Sequence, residues 1–194
     1  MGIVIRRLLP GLYADYLEFF DNRAFTDGNP NGPCYCTSPS QTPEEERQMV
    51  QDFSRWGVKE TLRRHAVQLL QAGRIHGYLA YDGDKAIGWC NAADMDSYAA
   101  FVPETARRGR AGRTVSIVCL EVAPEYRGRG IAAQLISSVC ADAMAGGYAA
   151  VEGYPAETQE GSRFDYTGSV RLYEKSGFRQ AARGDGRIIM RRIL

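Results

Sequence analysis

The stretch "CLEVAPEYRGRGIAAQLI", residues 119–136, decides how the rest of the chain is read. It opens as the end of a strand, because "VSIVCLEV" (115–122) is a run of β-branched and apolar residues interrupted by one serine and one glutamate. It closes as a helix, "GIAAQLISSVCADAMAGG" (130–147), with a small-residue apolar face and a Gly-Gly stop. Between the two, glycine alternates with arginine. Glycine disfavours a helix interior and adjacent like charges repel, so something at this junction calls for bare backbone and positive charge together. The first N–H groups of a helix lack internal partners and carry positive partial charge. Gly128 and Gly130 keep side chains away from them, and Arg127 and Arg129 add formal charge. The combination reads as an anion cradle, most naturally for phosphates.

Phosphate binding admits more than one reading. "GRGIAA" (128–133) fits the dinucleotide fingerprint G-x-G-x-x-A, with Glu152 ending the next strand near where the ribose-binding acid belongs. That fingerprint turns at the very end of its strand, whereas "APEYR" (123–127) intervenes here, and too little chain follows Glu152 for a doubly wound sheet. A nucleotide-dependent oxidoreductase is thus the weaker alternative. A Walker P-loop is excluded, since no G-K-[ST] occurs.

Working outward, "GIVIRRLL" (2–9) reads as a first strand, ended by Pro10-Gly11, and "LYADYLEFFDNRAF" (12–25) as a helix. "TDGNPNGPCYCTSPSQ" (26–41) is loop. In "TPEEERQMVQDF" (42–53), Thr42 caps, Pro43 suits the first turn and Glu45 completes a capping box, which is reason enough for the run Glu44 to Glu46. "VKETLRRHAVQLLQAG" (58–73) is a further amphipathic helix. The period then changes to two: "IHGYLAYDGDKAIGWCNAAD" (75–94) is a hairpin turning at "DGD", and a basic loop, "RRGRAGR" (107–113), leads into the central strand. After the helix come the strand "YAAVEGY" (148–154), a loop, the short helix "TGSVRLYEKSGF" (167–178) and a closing hairpin, "RQAARGDGRIIMRRIL" (179–194). Strands joined by tight turns must be antiparallel, so the expected fold is α/β: a mixed, mostly antiparallel twisted sheet flanked by helices, in one domain over 1–194.

Composition bounds the partners. The 194 residues are 44% hydrophobic, enough for a sizeable core. Lys+Arg at 24 against Asp+Glu at 23 argues against general affinity for nucleic acid. Five cysteines, an odd number with three in apolar segments, suggest reduced thiols and a cytoplasmic location. "CYC" (34–36) has no second pair at ligand spacing, so no metal is expected, and Cys34 and Cys36 are assigned to loop packing or to an acceptor cleft. No apolar run is long enough for a membrane span, and "MGIVIRRLLPG" is charged too soon for a signal peptide.

The central stretch resembles the acetyl-CoA-binding motif of the GNAT superfamily of N-acetyltransferases. That pattern is a strand with an apolar-x-Val step, a short acidic or proline loop, and then [RQ]-x-x-G-x-[GA]; Arg127, Gly130 and Ala132 fill its defining positions. "SVRLYEKSGF" (169–178) is similar to the family's second hallmark, L-Y-x-K-x-G-F, and the element order matches except over the variable stretch 26–60. The resemblance implies a V-shaped splay between the motif strand and the next strand. The pantetheine arm of acetyl-CoA would pair there with backbone of Leu120, Glu121 and Val122. The pyrophosphate would rest on Gly128, Arg129, Gly130, Ile131, Ala132 and Ala133, near Arg127.

It also implies acetyl transfer to a primary amine, on a small molecule or a peptide. Such an amine is mostly protonated at neutral pH (pKa about 10), and the departing thiolate has a conjugate acid of pKa about 8.5. Tyr173 matches the family tyrosine that donates to the sulfur. Glu152 matches a glutamate used as base by some members. Ser116 stands at another base position and cannot serve, Glu121 is expected to contribute backbone alone, and His65 and His76 are expected to be structural. Where many members have a cofactor-contacting Asn, this chain has Tyr166, preceded by the insert "PAETQEGSRFD" (155–165), which is expected to shape the acceptor site. A non-catalytic acyl-CoA-binding module is the other alternative, and Tyr173 speaks against it. The acceptor's identity and the state of assembly, homodimer included, are not readable.

Overall fold

A computed structural model describes residues 2–98, 101–157 and 166–194. Among the described residues seven strands form one sheet: β1 (Val4–Arg7), β2 (Gly77–Asp82), β3 (Lys85–Asp94), β4 (Thr114–Val122), β5 (Ala150–Gly153), β6 (Arg179–Gly184) and β7 (Arg187–Ile193). Their order is β1-β2-β3-β4-β5-β7-β6. Every pairing is antiparallel except β4 with β5. The hairpins turn where expected. Gly83 adopts φ 62° between β2 and β3, and Asp185 and Gly186, at φ 57° and 70°, make the two-residue turn between β6 and β7.

The helices are α1 (Tyr13–Asn22), α2 (Pro43–Trp56), α3 (Val58–Gln71), α4 (Glu104–Arg108), α5 (Ile131–Ala145) and α6 (Val170–Lys175). The parallel pair β4/β5 needs a crossover, and α5 supplies it. This helix buries Ile131, Leu135, Ile136, Val139, Cys140 and Ala143, a stripe at helical spacing, on the sheet. The expected capping box of α2 is present: the Glu45 N–H donates to Thr42 Oγ1 (3.2 Å) and the Thr42 N–H to Glu45 Oε2 (2.7 Å).

Two details differ from the sequence reading. The first strand is shorter, Val4–Arg7, and the segment before β4 contains α4, so the basic loop begins inside a helix at Arg107 and Arg108. On the sheet face opposite α5, α1 packs Tyr16, Phe19 and Phe20 against Trp89 and Tyr35. That cluster brings the loop holding Cys34 and Cys36 to the middle of β4, which positions the site.

Candidate active site

The site begins where β4 and β5 part. They pair from Thr114↔Ala150 to Ile117↔Gly153, after which β4 runs on to Val122 without β5. A bulge lies at the parting: opposite β3, Asn91 pairs with Cys119 and Ala92 with Ile117, leaving Val118 as the extra residue. A bulge bends its strand and sharpens the twist, which opens the two strands into a V.

The backbone groups of β4 beyond the vertex are engaged. The Ala123 N–H donates to Ile87 O (2.9 Å), so by strand alternation the Glu121 N–H also turns toward β3, while Leu120 and Val122 turn toward the opening. There the Leu120 N–H donates to Tyr166 O (2.6 Å), and Val122 O accepts from Arg127 Nε (2.9 Å). The Leu120 amide is buried and needs an acceptor, and Tyr166 supplies one.

Below β4, Gly128 and Gly130 adopt left-handed φ of 76° and 77°, and a Cβ on either would meet nothing within 4 Å. Gly130 caps α5, whose first internal bond runs from Gln134 N–H to Gly130 O (3.2 Å). The amides of Ile131, Ala132 and Ala133 therefore have no intrahelical acceptor. The glycines keep this turn open, as the sequence suggested.

Both arginines beside the cradle make bonds within the chain. The Arg127 guanidinium donates to Glu121 Oε1 (2.9 Å) and Asp27 Oδ2 (2.6 Å). The reason is electrostatic: the Glu121 carboxylate is 7% exposed, and a buried charge needs a counter-charge. Arg129 donates to Glu125 O (2.8 Å) and lies over the Tyr126 ring.

Tyr173 and Glu152 sit on either side of the vertex strand β5. Tyr173 is fully buried, and its hydroxyl donates to Thr167 O (3.0 Å). Its ring lies so close to Gly153 that any side chain there would collide, which puts the phenol at the last paired residue of β5. Glu152 is also fully buried, in register between Ser116 on β4 and Arg191 on β7. Its carboxylate accepts from Arg191 Nε and from the Tyr154 hydroxyl (3.2 Å), which shares a 2.6 Å hydrogen bond with Ser116 Oγ. Burial raises its pKa, with Arg191 opposing. Glu152 is thus locked in an internal polar cluster.

Glu121, expected to contribute backbone alone, also presents its side chain. Its side chain lines a cavity of about 200 Å³ together with Cys34, Cys36, Val118, Cys119 and Tyr166. Burial pushes its carboxyl up to about 7, partly offset by Arg127, and the charge of Asp27 adds to the rise. One signal in the sequence could have revealed it: a lone glutamate in an otherwise uncharged central strand must be buried or point into a cleft. The buried Asn91 side chain donates to Cys36 O (3.1 Å) and Cys36 Sγ (3.2 Å), fixing the "CYC" loop. Burial pushes the Cys34 thiol up to about 12. All five cysteines are free, and among the described residues no group of three or more His, Cys, Asp or Glu is arranged to hold a metal. His65 and His76 line neither this cavity nor the cradle. Of the insert at 155–165, residues 158–165 lie outside the described residues.

Comparison with known proteins agrees with this geometry. Residues 37–178 match the acetyltransferase (GNAT) family. No curated protein matches the chain significantly. Among solved structures, PaiA N-acetyltransferase from Thermoplasma acidophilum in complex with coenzyme A is 16% identical, with both chains covered in full and a TM-score of 0.53. An acetyltransferase of the GNAT family from Listeria monocytogenes is 11% identical over 99% of this chain and 95% of its own, with a TM-score of 0.57. YhbS from Escherichia coli, a GNAT family N-acetyltransferase in complex with CoA, is 20% identical over 98% of this chain and 81% of its own, with a TM-score of 0.52. At these identities the likeness is one of fold.

Proposed function

The chain belongs to the acetyltransferase (GNAT) family, and on that premise we propose that it moves an acetyl group from acetyl-CoA to a primary amine. The observation that carries the reading is the splay of β4 from β5, with an open glycine cradle at one end and the Tyr173 hydroxyl at its vertex. The residues fit the co-substrate. Amides at the N-terminus of α5 suit a pyrophosphate, and the positive φ of Gly128 and Gly130 leaves room for it. Acetyl-CoA supplies the activated acyl group.

The chain's own residues divide the remaining work. A protonated amine cannot attack a carbonyl, so a base must take its proton. Glu121 is suited to be that base, because it faces the cavity and its carboxyl titrates near neutrality. Glu152 is less suited, because Arg191 and Tyr154 hold both its oxygens. Tyr173 donates a hydrogen bond to the departing sulfur in place of the one it gives Thr167 O, stabilising negative charge as it develops there. In balance, the ammonium loses one proton to Glu121, the C–N bond forms as the C–S bond breaks, and the second proton lost by the nitrogen passes to the departing sulfur, leaving the amide, the free thiol and a protonated Glu121 that returns its proton to water.

The acceptor is a small molecule or a peptide. Five free thiols fit a reducing compartment such as the cytoplasm. Among the described residues no helix is long and apolar enough to cross a membrane. The test is an amine panel with acetyl-CoA, following free thiol release, beside calorimetry with acetyl-CoA, NAD and NADP. Acetyl-CoA binding without thiol release on any amine would indicate a binding module, and dinucleotide binding in its place would overturn the reading.

A further inference from the structure

The cavity beside Glu121 has a composition that restricts what can enter it. Its walls are mainly Phe20, Phe25, Pro39 and Phe101, with Val118 and Cys119 of β4 on one side and Asn31 and Ser38 as small polar members. Among the described residues lining it, Glu121 is the one that carries a charge, and there is no lysine, arginine or histidine. The neighbouring guanidinium of Arg127 spends its donors on Val122 O, Asp27 and Glu121 itself. The cavity also meets the splay: Val118 is the bulged residue at the vertex, and Tyr166, whose carbonyl bonds the Leu120 amide, lines the cavity too.

These features select chemistry. An ammonium can pair with the Glu121 carboxylate at the end of the cavity that borders the splay. The remainder of the molecule then lies mainly among aromatic and aliphatic side chains. A second ammonium would be buried there without a second carboxylate, and a string of hydroxyls would exceed what Asn31 and Ser38 can satisfy, which is costly. A carboxylate on the acceptor would face Glu121 with no cation among the described lining residues to offset it. Size points the same way: an apolar cavity of about 150 Å³ admits benzene, so about 200 Å³ accommodates one ring or a short branched chain.

Resting on the acetyl-transfer reading, we infer that the acceptor is a primary amine bearing one compact apolar group, an aromatic ring or a short branched alkyl chain, with no carboxylate and no second charge, seated between Phe20, Phe25 and Val118 with its nitrogen at Glu121.

The test has two arms. In the first, thiol release with acetyl-CoA is compared for phenethylamine, isopentylamine, spermidine, lysine and phenylalanine. The two apolar amines should exceed the other three by about 100-fold or more in kcat/KM, and the step from phenethylamine to phenylalanine isolates the carboxylate. In the second arm, phenethylamine is titrated calorimetrically into the protein with and without CoA. It should bind wild type, and Cys34→Phe, which places a ring in the cavity, should weaken it at least about tenfold with CoA affinity unchanged. Should that variant fail to fold, Ser38→Phe, at an exposed position on the rim, makes the same test. Tighter binding or faster turnover of spermidine or lysine would overturn the inference and leave acetyl transfer standing. Phenethylamine that does not bind would overturn it as well. Loss of CoA binding alone would count against acetyl transfer, with the amine titration still deciding the cavity.

Discussion

The Leu120 amide donates to the Tyr166 carbonyl across the mouth of the β4/β5 splay, at 2.6 Å. The backbone segment at Tyr166 therefore fills the place where a cofactor arm would pair with β4. Leu120 and Gly168 also lie close, since a Cβ on Gly168 would stand 3.1 Å from Leu120 Cδ1. Acetyl-CoA entering the splay should release Tyr166 from Leu120. Hydrogen exchange by mass spectrometry should show faster exchange over 166–169 and slower exchange over 128–134 on adding acetyl-CoA. Unchanged exchange over 166–169 would mean that the arm takes another path.

Glu121→Gln should lower kcat by about 10²–10⁴-fold with acetyl-CoA affinity preserved. The carboxyl is raised to about 7 from its ordinary 4.5, and it works as base only when ionised. Wild-type activity should thus rise with pH through about 7 and level off above, and the variant should lack that limb. The effect on stability has the opposite sign. The folded chain holds this proton more tightly than the unfolded chain, so the contribution is complete below pH 4.5 and is lost as pH rises through about 7. It amounts to on the order of 3 kcal/mol, and the melting temperature of Glu121→Gln should fall less than that of wild type between about pH 5 and pH 8.

For Glu152→Gln the expected loss is mainly of stability. Arg191 is mostly buried and would be left without its carboxylate, which typically costs about 3–5 kcal/mol. Denaturant unfolding would measure it. A stable variant with collapsed kcat would return the role of base to Glu152.

Tyr173→Phe keeps the ring against Gly153 and its edge-to-face packing on Phe178 (5.2 Å). It loses the hydrogen bond to Thr167 O, at about 1 kcal/mol of stability. Turnover should fall by roughly 10²-fold at saturating acetyl-CoA with little change in cofactor affinity. Wild-type kcat in a folded variant would remove the hydroxyl from the mechanism.

Gly130→Glu sets a carboxylate in the cradle at φ 77°, a conformation costing a non-glycine residue about 1–2 kcal/mol. The space around it is open, so the domain should still fold. Calorimetry should find acetyl-CoA binding abolished, and retained affinity would show that the phosphates lie elsewhere.

What the sequence determined by itself is whatever is written locally. The capping box of Thr42 and Glu45, the turn at Asp185 and Gly186, the helical stripe from Ile131 to Ala143 and the open glycine turn at 128–130 each depend on residues within a few positions of one another. Spacing and backbone preference suffice to read them. The direction of the Arg127 side chain was not legible, because it answers to Asp27, a hundred residues away, and to a carboxylate whose burial comes from packing. The same holds for Glu121. A strand's alternation puts its side chain on one face, but only the docking of α1 and the Cys34–Cys36 loop on that face turns it into the charged wall of an apolar cavity. Glu152 met the opposite fate, since the placement of β7 beside β5 delivered Arg191 to it. Local propensity is additive along the chain, whereas the dielectric and the partners of a charge are set by everything that packs around it, and so the tertiary structure decided which glutamate faces the cavity.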